Sequence, residues 1–231
     1  MSNANAAEKR AMLKDAAILF IITLVAGFLL GFVYDVTKEP IAQQKEKAKL
    51  EASRLVFADA ADFRAYEGFS AENAAEVLKT AAENINFQGA LSSFSADSAA
   101  AAARAEGISG ADIDEVSEAY DSAGNLLGYV ITVTDHDGYG GDIQFSMGVT
   151  LDGTLNGISL LSISETAGLG MKAGDVLVPQ FENKNVEFFT YTKTGSAGEN
   201  EIDAISGATI TTRAIVNGVN AGLEYFRSIK H

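Results

Sequence analysis

The sequence predicts an α+β protein in which a single N-terminal transmembrane helix is followed by an antiparallel sheet covered by helices. Three observations carry this expectation. An apolar run over residues 16–34 contains no charge, segments with the two-residue period of strands follow one another from Tyr120, and the C-terminal stretch repeats its apolar residues at helical spacing.

Residues 1–15 read as a short tail that places Lys9, Arg10 and Lys14 ahead of the apolar run. Residues 16–34, AAILFIITLVAGFLLGFVY, number 19, and at about 1.5 Å per residue they cover about 28 Å, close to the hydrocarbon thickness of a bilayer. A core helix would keep a polar stripe, and a cleaved signal would end in a small-x-small site, which Phe32-Val33-Tyr34 does not supply. The reading is therefore a retained single span. Lys38, Lys45, Lys47 and Lys49 after the span balance the three cations before it, so charge alone leaves the orientation open.

Residues 35–57 read as a stalk helix, with Pro40 stopping a straight continuation of the span and an apolar end at Leu55-Val56-Phe57. Residues 58–119 read as a helical, Ala-rich region, with a helix expected over 71–86. Its soft Ala/Ser tract, residues 92–104, reads as a solvated decoration without chemistry.

Residues 120–231 read as the principal domain. Asp121-Ser122-Ala123-Gly124-Asn125 signals a turn before a strand at 126–133, Gly138-Tyr139-Gly140-Gly141 precedes another at 143–151, and Asp152-Gly153 leads into a third at 158–163. Short connections imply antiparallel neighbours. Ile215, Val219, Leu223, Phe226 and Ile229 then share one face of a final helix that can cover the sheet.

Composition limits the function classes. With 17 Lys+Arg against 31 Asp+Glu and a net charge of -14, no basic patch for nucleic acid is expected. The chain has no cysteine and two histidines, His136 and His231, which excludes Fe–S clusters and Cys/His zinc sites and disfavours haem. No metal site is expected, because the neighbours in Asp135-His136-Asp137 point to opposite faces of an extended chain. Redox chemistry would need an organic cofactor. Gly138, Gly140 and Gly141 precede a strand rather than a helix, so they do not make a dinucleotide fingerprint.

The most informative segment is Asp203-Ala204-Ile205-Ser206-Gly207-Ala208-Thr209-Ile210-Thr211-Thr212, directly before the final helix. Ser206, Gly207 and Ala208 are small enough to let a bulky group approach the backbone, and Thr209 then presents a hydroxyl. Thr211 or Thr212 can cap the helix, whose free amides favour an anion such as a phosphate. The same residues also fit a tight turn with a threonine N-cap.

Asp203-x-x-Ser206-Gly207-Ala208-Thr209 resembles the flavinylation motif of the FMN-binding domain family, in which a flavin transferase joins FMN through its phosphate to the last threonine. Gly138-Tyr139-Gly140-Gly141, Asp152-Gly153 and Glu165-Thr166-Ala167-Gly168-Leu169-Gly170 follow that family's order, the last resembling its E-T-P-G-L-G signature with Ala167 in place of proline. The span, stalk and size are similar to those of the G subunits of Rnf complexes in particular. The resemblance implies covalent FMN on Thr209, with Glu165 and Thr166 against the flavin and its ribityl chain. It also implies Leu169 and Gly170 as part of the wall, with Gly168, Ser206, Gly207 and Ala208 among the residues that bind the cofactor. Tyr139 is either an aromatic contact near the ring or a half-packed turn residue, and Lys172 either meets the phosphate or ring edge or is solvated.

By the same resemblance the flavin is an electron relay and no catalytic residue is expected on this chain. The partners implied are the other membrane subunits of an Rnf complex, a flavin transferase during maturation, and membrane lipid. Such a complex couples electron flow between ferredoxin and NAD to sodium or proton movement in the cell (inner) membrane, with the flavin domain on the extracytoplasmic side. The related C-type component of the sodium-pumping NADH:quinone reductase, a freestanding flavinylated carrier, and a non-redox membrane-tethered binding module remain open on sequence alone.

Overall fold

The computed structural model describes residues 2–91, 107–195 and 198–230, with side-chain surroundings described from residue 12 to residue 85 in the first stretch. The Ala/Ser tract at 92–104 lies outside the described residues. Two compact units divide the chain, residues 1–48 and 49–231.

The first unit consists of α1, Ser2–Val56, up to residue 48. Its side chains are exposed throughout the described part, and its most apolar 18 residues have a mean hydropathy of 2.7. Among the described residues this is the one helix long and apolar enough to cross a membrane. Polar side chains within it bond to their own helix, as when the Thr23 hydroxyl donates to the Leu19 carbonyl at 3.1 Å. Tail, span and stalk are thus one helix, and Pro40 does not stop it. Proline removes one N–H and crowds one carbonyl, but in a helix of 55 residues the intact turns on both sides hold the backbone through that single defect.

The second unit begins with the last turns of α1 and is organised around a five-stranded antiparallel sheet. In chain order its elements are β1 (Asp62–Ala65), α2 (Ala71–Leu91), β2 (Ala111–Tyr120), β3 (Leu126–Asp135), β4 (Ile143–Thr150) and β5 (Leu155–Ser162), the strands lying in the order β1-β2-β3-β4-β5. A short α3 (Ala173–Val176) lies between 3-10 turns at Gly170–Lys172 and Val178–Phe181. The two short strands β6 (Thr190–Thr192) and β7 (Glu201–Asp203) pair in parallel, and the chain closes with α4 (Thr209–Ile229).

Residues 58–119 are therefore not helical throughout, and the sheet begins well before Tyr120. β1 and β2 supply two of its five strands. In β2 the two-residue alternation is interrupted by a register shift between Ile113 and Glu115, so apolar residues fall at Ala111, Ile113, Val116 and Ala119. The helix expected at 71–86 is present as α2.

The main core lies between one face of the sheet and α2 and α4. Ile131, Val133, Phe145 and Met147 meet Ile215, Val219, Leu223 and Phe226, all buried. Burying each such side chain stabilises the fold by about 1.5–3 kcal/mol. Asn220 is a polar pin in this layer: its side chain accepts from the Phe189 N–H at 2.7 Å and donates to the Phe189 carbonyl at 2.9 Å. On the other face, Val56 and Phe57 pack with Ala119 and Val130. Glycine is needed there, because a Cβ at Gly148 would stand 2.8 Å from Val56 and one at Gly128 2.8 Å from Phe57.

Candidate functional site

The loops at the ends of β3 and β5 and the first turn of α4 enclose a cleft of about 440 Å³. It is lined by Tyr139, Glu165, Thr166, Leu169, Gly170, Gly207, Ala208, Thr209, Ile210 and Thr211. The approach to α4 makes the floor: Gly207 adopts φ +78, Ala208 is the N-cap residue with φ -131, and Thr209 is the first helical residue. No side chain caps the helix start. The amides of Thr209, Ile210 and Thr211 fall in the first turn, where no carbonyl of the helix's own ladder precedes them, so this end of the cleft suits an anion.

The expected threonine caps are not formed, because the helix starts three residues earlier than a cap at Thr211 would require. Thr212 instead lies inside the helix, where its hydroxyl donates to the Ala208 carbonyl at 3.0 Å and accepts from the Ile205 N–H at 3.1 Å. Thr211 turns toward the opposite wall and donates to Glu165 Oε2 at 2.9 Å.

Glu165 links three segments. Its Oε1 accepts the Gly140 N–H at 3.1 Å while Oε2 takes the Thr211 hydroxyl. Glycines make the approach possible, since a Cβ at Gly170 would lie 2.7 Å from both Glu165 Cβ and Thr211 Oγ1, and one at Gly138 3.0 Å from Glu165 Oε1. Beyond Glu165 the chain turns back at Gly168, φ +78, with the Leu169 and Met171 amides both donating to the Thr166 carbonyl at 3.1 and 3.3 Å. The turn holds without the family's proline at Ala167.

Tyr139, Glu165, Thr166, Leu169, Gly170, Gly207, Ala208 and Thr209, all singled out from the sequence, meet in this one cleft. Ser206, Gly168 and Lys172 do not line it and are exposed at its margins. Tyr139 is 68% exposed, so it stands at the mouth and is not half packed on the core. Ile210 and Thr211 line the cleft without having been read as site residues. Their signal was their place in the first turn of a helix whose N-terminus faces the site.

Two ionisable groups lie beside the cleft at the β3–β4 loop. His136 bridges Asp142 and Asp112, each at 3.0 Å, and these bonds push its pKa up to about 9. Asp135 is fully buried, and burial raises its carboxyl to about 7, with the charge of Asp137 adding to the shift. Its Oδ1 accepts the Asp137 N–H at 2.9 Å, while Oδ2 has no partner among the described residues. Among those residues no group of His, Asp or Glu is arranged to hold a metal.

Two family models match the chain: an RnfG N-terminal region over residues 1–54 and an FMN-binding domain over residues 138–224. The G subunit of the Na(+)-translocating ferredoxin:NAD(+) oxidoreductase complex of Acetobacterium woodii is 30% identical over 224 residues, covering 95% of this chain and 94% of that one. The chain belongs to the RnfG family. A second relative, the G subunit of the proton-translocating ferredoxin:NAD(+) oxidoreductase complex of Clostridium ljungdahlii, is 38% identical over 99 residues, which is 42% of this chain and 52% of its own length. Among solved structures, NqrC of Shewanella oneidensis matches with 22% identity and a TM-score of 0.43, covering 52% of this chain and 61% of that one.

The RnfG family accounts for both units: the N-terminal match ends at residue 54, in the last turn of α1, and the FMN-binding match spans the cleft. The chain is thus a membrane protein with an FMN-binding domain. The site residues fit that group. Tyr139, Leu169 and Ile210 give apolar walls, and the first turn of α4 offers amides to a phosphate.

Proposed function

We propose that this chain holds FMN as a phosphoester on Thr209 and relays electrons as the G subunit of an Rnf-type complex. In that complex, electron transfer between ferredoxin and NAD drives sodium or proton movement. The observation that carries the reading is the position of Thr209: it is the first residue of α4, it lines the cleft, and the phosphate-favouring amides stand next to it. A bound flavin supplies reversible electron transfer. The chain's own residues do the rest. Leu169, Ile210 and Tyr139 shield one end from water, and the α4 turn orients the phosphate end.

Attachment is a group transfer without change of oxidation state. Thr209 Oγ forms a bond to the flavin-side phosphorus of a flavin adenine dinucleotide donor, the pyrophosphate P–O bond breaks, AMP leaves, and the hydroxyl proton passes to the transferase. The donor and ferredoxin and NAD sites lie on other proteins, and the domain faces the extracytoplasmic side. Thr209→Val keeps the branched shape of the side chain and removes its oxygen. Co-expressed with a flavin transferase and run on a denaturing gel, wild type should give a flavin-fluorescent band and Thr209→Val a dark one of equal protein content. A fluorescent Thr209→Val band would overturn the assignment.

A further inference from the structure

Resting on that reading, we propose that Glu165 and Thr211 form a positioning pair for flavin attachment, in which the Glu165 carboxylate fixes the first turn of α4 so that Thr209 faces the cleft. Successive residues of a helix are about 100° apart, so Thr209 and Thr211 are about 200° apart around α4. Pinning Thr211 to Glu165 therefore fixes the rotation of the first turn about the helix axis, and with it the direction of Thr209.

Two side-chain anchors hold the turn near its start. Thr212 ties it to the preceding loop through the Ile205 N–H, and Thr211 ties it across the cleft at 2.9 Å. The second is the one that reaches the opposite wall. The carboxylate is itself held on its other oxygen by the Gly140 N–H at 3.1 Å, and it is packed against Gly170 and Gly138, where a Cβ would approach to 3.0 Å or less. It is thereby confined from three sides. Thr211 is 1% exposed, so its hydroxyl has no water to replace the bond. Glu165 thus already accepts one hydrogen bond from the chain on each oxygen. Its role is exerted through Thr211, and in the same act it holds the loop carrying Tyr139 at the mouth.

The step affected is the transfer described above, in which Thr209 Oγ must approach phosphorus in line with the leaving oxygen. Misdirection of a reacting group by about 1 Å costs up to about a hundredfold in rate. The test uses the full chain in detergent, purified without flavin, with flavin transferase, flavin adenine dinucleotide and magnesium, following the covalent fluorescent band with time. Thr211→Val should lower the rate at saturating chain by about tenfold or more, with little change in the chain concentration giving half-maximal rate. Thr211→Ser restores the hydroxyl and should recover most of the rate. Far-UV circular dichroism and the thermal midpoint show whether each variant is folded. If Thr211→Val does not fold, Glu165→Asp, shorter by one methylene, carries the same expectation. Equal rates for wild type and a folded Thr211→Val, or a Thr211→Ser variant as slow as valine, would overturn the pair. A wild-type chain that stays dark overturns the attachment reading and this inference with it, whereas a fluorescent wild type with a dark Thr209→Val isolates the outcome to the pair.

Discussion

Asp135→Asn should flatten the pH dependence of stability on the acid side of neutrality. Asp135 is fully buried with one carboxyl oxygen unpartnered, and its pKa is about 7 in the fold against an ordinary 3.8. The unfolded chain therefore releases this proton first. Between these two values the folded state binds more protons than the unfolded state, so stability falls as pH rises and is level again above about 7. The full cost, about 3 pKa units at about 1.4 kcal/mol each, is on the order of 4 kcal/mol. Between about pH 5.5 and pH 8 the wild-type domain should lose about 2 kcal/mol from this residue alone. His136 acts in the same direction over a later window: its stabilising bridge is fully present below 6.5 and is lost as pH rises through about 9. It is half exposed, so solvent screening keeps its share small. Urea unfolding of the full chain in detergent, followed by far-UV circular dichroism at several pH values, gives the slope directly. Asp135→Asn should remove most of the fall below pH 7 and leave the shallow decline above it. An unchanged slope between about pH 5.5 and pH 7 would refute the argument that this carboxyl is held neutral by burial.

Two further outcomes can be measured. Tyr225→Phe should stabilise the domain by about 1 kcal/mol, because the Tyr225 hydroxyl is buried without a hydrogen-bond partner while its ring keeps the edge contact with Phe69 at 6.1 Å; a loss of stability in the same urea assay would mean that the hydroxyl is satisfied. Protease added to intact spheroplasts should digest the domain from residue 49 onward, and digestion only after lysis would place it on the cytoplasmic side.

Much of the sheet was legible because β4 keeps a two-residue period, β3 and β5 are short runs rich in strand-forming apolar residues between clear turn residues, and α4 keeps a helical period. β2 was missed for a local reason. The shift between Ile113 and Glu115 puts its apolar residues out of alternation, and Asp112, Asp114, Glu115 and Glu118 give it a solvated appearance. β1 is four residues long and mostly exposed, so it has almost no burial pattern to read. Pro40 misled in the other direction, since its cost is local whereas α1 is sustained by many turns. At the site, small residues and turn glycines marked the loops that converge. The side to which a threonine points was not legible, because it depends on where α4 starts, and that start is fixed by tertiary contacts such as the Ile205 amide on Thr212.

The last helix has a consequence for timing. Fourteen of the 21 residues of α4 are buried, and they close the main core at the very end of the chain. During synthesis α2 and the five strands emerge first, leaving open the part of the sheet's apolar face that α4 covers, and the cleft lacks its floor until residues 203–212 and the helix behind them are released. A transferase meeting the chain early would find neither the shaped pocket nor a directed hydroxyl. Loading of the cofactor is thereby deferred until the polypeptide is finished, and a chain truncated inside α4 would be left both unfolded and colourless.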